Sequence, residues 1–163
     1  MALLAEEIVE EWLNRNGYFT IRGIELGHYE IDLLAIGFKN DEIKCRHIEV
    51  QASRRPIGYI CGIPIKKTSS EVVCSGVDAW VKKKFLLAKK ESLRNQLYPG
   101  KWDFELVVNQ VRHEGELKII EEHGIMVHRL ENIIAELSSM KTIVNRASGS
   151  DLVDLVLFGK TVM

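Results

Sequence analysis

Two apolar segments on either side of a short polar turn decide the fold. They are YEIDLLAIG at residues 29–37 and IKCRHIEVQA at residues 43–52. Runs of this length, rich in isoleucine, leucine and valine, predict β-strands, and the residues between them predict a turn with Asn40 and Asp41 at its tip. The pattern therefore predicts two antiparallel strands paired across this turn.

The predicted turn sets which side chains lie opposite each other. Symmetric pairing about Asn40-Asp41 places Asp32 opposite Glu49, and Glu30 opposite Gln51. Like charges in opposed positions are destabilising unless something compensates them. A hard divalent cation such as Mg²⁺ is the usual compensation. Because Asn-Asp is a weak hairpin signal, the alternative is a slipped register and an exposed sheet face with salt-bridged acids.

The elements on either side predict a mixed α/β domain. Periodicity and turn residues predict helices at 3–16, 69–97, 114–123 and 131–139 and strands at 18–24, 102–111 and 125–130, with a loop or short hairpin at 53–68. A break in the long second helix is expected near Gly76. The order is α-β-β-β-α-β-α-β-α, in one domain over residues 1–140, with a C-terminal extension at 141–163.

Composition excludes several classes of protein. The 163 residues are 46% hydrophobic and 28% charged, as in an ordinary globular domain. The three cysteines form no CxxC pair, which favours reduced thiols and a cytoplasmic protein over a disulfide-rich one. The N-terminal residues contain no signal or transit peptide pattern, and no apolar run is long enough to span a membrane.

Charge is distributed unevenly along the chain. The net charge is −1, yet residues 53–101 hold eleven basic and three acidic residues. An excess of this size predicts a patch that attracts phosphates. The alternative is a solvated helix face, because Lys82, Lys83, Lys84, Lys89 and Lys90 lie in one predicted helix.

Five short motifs in this order resemble the PD-(D/E)xK nuclease superfamily of restriction endonucleases, Holliday-junction resolvases and DNA-repair nucleases. They are AEE at 5–7, WL at 12–13, NGY at 16–18, EIDLLA at 30–35 and IEVQ at 48–51. The resemblance covers roughly residues 5–130. It implies an α/β fold with a restriction-endonuclease-like αβββαβ core, in which helices flank a mixed central sheet.

The resemblance also implies a site. Asp32 and Glu49 match the two metal-binding acids, and Glu6 matches a glutamate of the first helix that often joins them, with Glu10 as the fallback. The implied cofactor is Mg²⁺, with Mn²⁺ as a substitute. The superfamily's lysine is replaced by Gln51, and Lys84 is the one charge on an apolar helical stripe that could supply a lysine from elsewhere.

The implied function is a metal-dependent DNA endonuclease in restriction, defence or repair. Duplex or branched DNA is the expected partner, held at its phosphates by six basic residues: Arg54, Arg55, Lys66, Lys67, Lys82 and Lys83. Two alternatives stay open. A protein of this fold can bind nucleic acid without cutting it, which Gln51 favours, and an unrelated α/β interaction module can carry acidic strands by accident.

A last sequence feature lies in the C-terminal extension. Residues 152–158 hold six apolar residues in seven positions. A segment this apolar needs a surface to cover it, either on the core of the same chain or on a second subunit in a homodimer.

Overall fold

The structure is a computed structural model and describes residues 2–65 and 69–140. Ten elements follow one another in the order that the sequence predicts, except that the second helix is divided. They are α1 (Ala2–Arg15), β1 (Tyr18–Leu26), β2 (Tyr29–Lys39), β3 (Glu42–Gln51), α2 (Ser70–Phe85), α3 (Ala88–Leu97), β4 (Trp102–Val108), α4 (Glu114–Glu122), β5 (Ile125–Arg129) and α5 (Leu130–Ser139). Strand β4 is three residues shorter than predicted. Lys66, Lys67 and the extension 141–163 lie outside the described residues.

The turn between β2 and β3 has the predicted tip. Asn40 and Asp41 adopt φ angles of 50° and 62°, the left-handed pair of a two-residue type I′ turn. Such a turn matches the natural twist of the two strands it joins. The ladder runs from Lys39 opposite Glu42 as far as Leu33 opposite Ile48, so the predicted register is confirmed over this range.

The five strands form one mixed sheet in the order β1-β2-β3-β4-β5. Strands β1 to β3 are antiparallel, whereas β4 runs parallel to both β3 and β5. Helices α1 and α5 pack on one face through a core that includes Val9, Leu13 and Ile133. Helices α2 and α4 pack on the other face, where Phe85 and Ile120 are buried. The mixed sheet between helices confirms the predicted fold class.

The predicted helix over 69–97 is two helices, and the break is not at Gly76. Gly76 lies inside α2, and the chain turns instead at Leu86 and Leu87, where Leu87 is extended with ψ 135°. A Cβ at Gly76 would lie 3.0 Å from the Sγ of Cys61. The glycine therefore allows α2 to pack closely on the 53–65 loop, and it does not interrupt the helix.

The length and apolarity of a helix decide whether it can span a membrane. Among the described residues, no helix combines the length and apolarity that crossing a bilayer requires. The longest, α2, has 16 residues and carries Lys82, Lys83 and Lys84 in its last turn.

Candidate active site

A buried carboxylate lies at the centre of the site. Glu49 is fully buried on β3 and points to the sheet face that α2 and α3 cover. Its Oε1 accepts from His47 Nε2 at 3.1 Å and from Lys90 Nζ at 3.0 Å. Its Oε2 accepts from Lys84 Nζ at 2.7 Å. Three of the roughly four acceptor positions of the carboxylate are therefore occupied, and the one that remains is on Oε2.

The ring of His47 has a defined orientation in this cluster. Arg94 Nη1 lies 2.9 Å from His47 Nδ1. Because a guanidinium can only donate, Nδ1 is the acceptor, and Nε2 carries the proton that is donated to Glu49. Burial lowers the pKa of His47, and the nearby charges of Arg94 and Lys90 lower it further. His47 is therefore neutral and links Arg94 to Glu49.

The cations around Glu49 keep it ionised. Burial alone would raise the pKa of Glu49, but the hydrogen bond from His47 and the charges of Lys84 and Lys90 outweigh burial and lower it to about 2. The two lysines respond differently to the same carboxylate. Burial lowers the pKa of Lys90, whose side chain is 1% exposed, whereas the pKa of Lys84, 22% exposed, is raised because the charge of Glu49 outweighs its burial.

The break between α2 and α3 brings both lysines to one carboxylate. In a continuous helix, residues 84 and 90 would point about 120° apart. Here Lys90 Nζ also donates to the carbonyl of Lys84 at 2.8 Å, across the break. The interpretation of Lys90 as part of a solvated helix face is wrong, because the change of helix direction at Leu86 and Leu87 turns it into the sheet.

Asp32 lies where the β2–β3 ladder stops. Pairing ends at Leu33 opposite Ile48, so the predicted pairs of Asp32 with Glu49 and of Glu30 with Gln51 are not formed. Asp32 Oδ2 instead accepts from the backbone N–H of Val50 at 2.7 Å. On the other side, Gly23 takes a left-handed φ of 64° and interrupts the β1–β2 ladder opposite Asp32. Because the Asp32 side chain takes the N–H of Val50, the backbone pairing of β2 with β3 does not extend to Asp32, and the β1–β2 ladder is interrupted at the same residue.

The environment of Asp32 disfavours its ionised form. Only 8% of the residue is exposed. Burial and the negative charge of Glu49 raise its pKa to about 7, although the Val50 hydrogen bond and the charge of Lys84 act in the opposite direction. The carboxyl of Asp32 therefore lies in a desolvated, negative environment that Lys84 does not fully offset, and this environment favours the binding of a proton or a cation.

The two candidate glutamates of α1 differ in their surroundings. Glu6 is half-buried, and its pKa is raised by burial and by the charges of Glu30 and Glu49. It therefore lies within electrostatic reach of the site. Glu10 is bound by Arg22 Nε at 3.0 Å and by the hydroxyl of Thr20 at 3.1 Å, so it is held by β1.

The donor set fits a hard divalent cation with two protein ligands. Mg²⁺ commonly binds one or two carboxylates and keeps several waters. Asp32, whose negative environment favours a bound proton or cation, and the open position on Glu49 Oε2 match that requirement. Within the described part of the chain, no three His, Cys, Asp or Glu side chains are grouped closely enough to hold an ion, so Glu6 is not a third direct ligand in this arrangement.

The remaining described candidates are close in sequence to Glu49 or to Lys84. Gln51 is half-buried at the end of β3, two residues after Glu49. Arg54 and Arg55 are exposed in the loop that follows β3, and Lys82 and Lys83 are exposed in the last turn of α2, next to Lys84.

Sequence reasoning missed Lys90 and Arg94 and assigned His47 no role in the site. The available signal was the spacing of Lys90 and Arg94. They lie four residues apart, which puts them on one face of a helix, and both are buried there. In a helix with few apolar residues, that face is the one that packs on the sheet.

Comparisons with known proteins support the fold. No protein-family model and no curated protein matches the sequence. The crystal structure of a protein of unknown function, AF1548, is similar with a TM-score of 0.51 and 15% identity, over 98% of this chain and 79% of that chain. A repair endonuclease from Pyrococcus abyssi has a TM-score of 0.39 and 16% identity, over 78% of this chain and 45% of its own. The first likeness concerns the fold alone, and the second is too weak to support an argument.

The raised pKa of Asp32 predicts a pH-dependent effect of Asp32→Asn. Between pH 3.8 and about 7, folded Asp32 holds a proton that the unfolded chain has lost. The contribution of Asp32 to stability therefore falls as pH rises through this window and is lowest above it. Relative to the unsubstituted protein, the free energy of unfolding of Asp32→Asn should rise by about 1–3 kcal/mol from pH 4 to pH 8. Urea unfolding at each pH measures this change.

The control is Asp103→Asn, because the side chain of Asp103 is 45% exposed. This variant removes a carboxylate from a more exposed position and controls for the loss of one negative charge. A free-energy difference for Asp32→Asn that does not change with pH would contradict the raised pKa of Asp32.

Proposed function

We propose that this chain is a metal-dependent DNA endonuclease that hydrolyses phosphodiester bonds. The observation that carries the proposal is Asp32, buried in a negative environment beside the ion pair of Glu49 and Lys84. Two acids on the adjacent inner strands β2 and β3, with a lysine from α2 beside them, are groups that can support metal-assisted phosphate hydrolysis. The basic helix end next to them supplies contacts for a polyanionic substrate.

In this proposal Asp32 and Glu49 hold the cation, Mg²⁺ or Mn²⁺, and Glu6 contributes through a water molecule. When bound, the cation lowers the pKa of a coordinated water and offsets negative charge on the phosphate. The cluster around Glu49 keeps that carboxylate ionised and immobile. His47 and Lys90 hold Oε1. Oε2 could therefore release Lys84 and bind the cation without movement of the carboxylate.

Lys84 and Gln51 divide the role that the superfamily gives to one lysine. Gln51 offers a neutral amide, which can orient a water by hydrogen bonding. Lys84 supplies the positive charge, because its ammonium lies 2.7 Å from Glu49 Oε2 and its side chain remains 22% exposed. A charge placed before the reaction stabilises the developing negative charge without a reorganisation cost.

The basic residues beside the site hold the DNA backbone in this proposal. Lys82 and Lys83 lie next to Lys84 in α2, and Arg54 and Arg55 follow Gln51 in the chain. Both sets are exposed and are therefore free to meet phosphates. Contacts of this kind give affinity and orientation without reading the base sequence.

Cleavage of DNA is the first test. We expect nicking or cutting of at least one substrate among supercoiled plasmid, linear duplex, single-stranded and four-way-junction DNA, in the presence of Mg²⁺ or Mn²⁺. EDTA and Asp32→Ala should each abolish it, because both remove the cation. The matched control is Asp103→Ala, which should cleave normally. Cleavage that persists in Asp32→Ala would overturn the assignment of the site.

The role of Lys84 is tested by moving the charge. Lys84→Met should lower the cleavage rate about 10²–10³-fold, the usual effect of removing one preorganised electrostatic group. Adding Gln51→Lys to Lys84→Met should recover at least part of that loss, because it restores a lysine beside Glu49. Lys118→Met, at an exposed position of α4, is the control. An unimpaired Lys84→Met enzyme would disprove the role.

The proposed DNA contact at the C-terminal end of α2 is tested by the salt dependence of DNA binding. Each lost phosphate contact flattens the slope of log Kobs against log salt by about 0.9 on duplex DNA. We expect Lys82→Ala/Lys83→Ala to weaken binding and to flatten the slope by about 2. Arg112→Ala/Lys118→Ala removes the same charge elsewhere and serves as the control. Equal slopes in the two double variants would place the DNA on another surface.

A second candidate function is DNA binding without cleavage. The observation that favours it is that ammonium groups already hold both oxygens of Glu49, so its charge is neutralised without a metal. This candidate predicts normal DNA binding, no cleavage of any substrate, and no rise of the melting temperature with Mg²⁺ or Mn²⁺. A cation that binds the folded site raises the melting temperature, which separates the two candidates.

A further inference from the structure

An apolar patch lies exposed at the end of the sheet, on the face that carries Glu49. Its members adjoin across the ladders, with Phe19 opposite Ile36 and Phe38 opposite Ile43. Phe19 is 83% exposed and Phe38 is 70% exposed. The tip patch consists of the exposed side chains of Phe19, Ile21, Phe38 and Ile43, and the half-buried Ile36 joins it to the core at Leu34 and Cys45.

The described helices leave this patch uncovered. On the same face, Leu34 and Cys45 are buried under Leu93 of α3 and Tyr98. The patch begins where that cover ends, toward the β2–β3 turn. A group of large apolar side chains exposed together indicates a surface that another segment or molecule covers.

The described chain ends at the same corner of the molecule. Helix α5 lies on the opposite sheet face, and its last turn meets the end of α1, where Asn16 Nδ2 donates to Glu136 Oε1 at 3.3 Å. Asn16 in turn accepts, through its carbonyl, from Lys39 Nζ at 2.9 Å. Lys39 directly follows Phe38, so the exit of the chain at Met140 and the tip patch share one end of the sheet.

The remaining chain is long enough and apolar enough to cover the patch. Residues 141–163 follow Met140 and include LVDLVLF at 152–158. The twelve steps from residue 140 to residue 152 reach up to roughly 40 Å when extended. Packed layers are about 10 Å apart, so this linker can pass around the edge strand β1 to the other face.

We propose that residues 152–158 pack on the tip patch of their own chain. The attachment at Met140 gives this segment a high effective concentration at the patch, which favours it over a second copy. The contact buries the apolar run and the patch together. The exposed edge of β1 beside Phe19 and Ile21 is then shielded from pairing with other chains.

Hydrogen exchange of the full 163-residue chain, read by mass spectrometry, tests this contact. We expect amides of residues 152–158 to exchange about tenfold or more slowly than in an unstructured peptide. The variant Phe19→Asp/Phe38→Asp should abolish that protection while the amides of β3 and β4 stay protected, which shows that the domain is still folded. The control Met126→Asp alters an exposed apolar residue on β5, the opposite edge strand, and should leave the protection unchanged.

Three results would overturn the proposal. The first is that residues 152–158 exchange as fast as an unstructured peptide. The second is that they remain protected in Phe19→Asp/Phe38→Asp, which would place their contact on another surface. Protection that appears only at concentrations where sedimentation shows a dimer would assign the patch to the segment of a second copy. Protection independent of concentration, in a monomer, supports the contact within one chain.

Discussion

The buried charge of Glu49 is the constraint on which the rest of the site depends. Removing an ionised carboxylate from water costs several kcal/mol unless charged partners and hydrogen bonds compensate it. Glu49 obtains this compensation from three elements at once, His47 on β3, Lys84 on α2 and Lys90 on α3. The same contacts therefore join the helix pair to the sheet. Any change that removes one partner leaves the buried charge less well compensated. The packing of α2 and α3 on the sheet and the electrostatics of the site therefore depend on the same contacts.

The two oxygens of Glu49 have different roles. Oε1 is held by His47 and by Lys90, whose side chains are almost completely buried, and Lys90 is fixed further by the carbonyl of Lys84. Oε2 faces Lys84, whose side chain is partly exposed. His47 and Lys90 keep the carboxylate in place, and in the proposed function the Oε2 side would exchange Lys84 for a cation. Asp32 lies next to Glu49, and burial together with the charge of Glu49 raises its pKa, so the negative potential around Asp32 favours the binding of a proton or a cation.

Local irregularities in the backbone create this arrangement. The left-handed Gly23 interrupts one ladder opposite Asp32, and the other ladder ends at Leu33. A regular strand would have committed the backbone N–H of Val50 to sheet pairing or to solvent, whereas here it binds the Asp32 carboxylate. The break at Leu86 and Leu87 has a comparable effect on the helical side, because it directs Lys84 and Lys90 to one point. Hydrolytic chemistry at this position would thus depend on departures from regular structure that the surrounding core stabilises.

The sequence by itself determined the order of the elements, the turn at Asn40 and Asp41, and the proximity of Asp32 to Glu49. These features follow from alternation, periodicity and turn chemistry, which act between residues close in the chain. Only the tertiary structure decided where the ladder ends, where the second helix breaks, and that Lys90, Arg94 and His47 are buried around Glu49. A lysine on a helix is equally compatible with water and with a buried carboxylate. Whether the lysine is exposed or buried depends on the residues that the helix packs against. Glu49 and Lys90 are 41 positions apart along the chain and meet only after the helices have packed on the sheet.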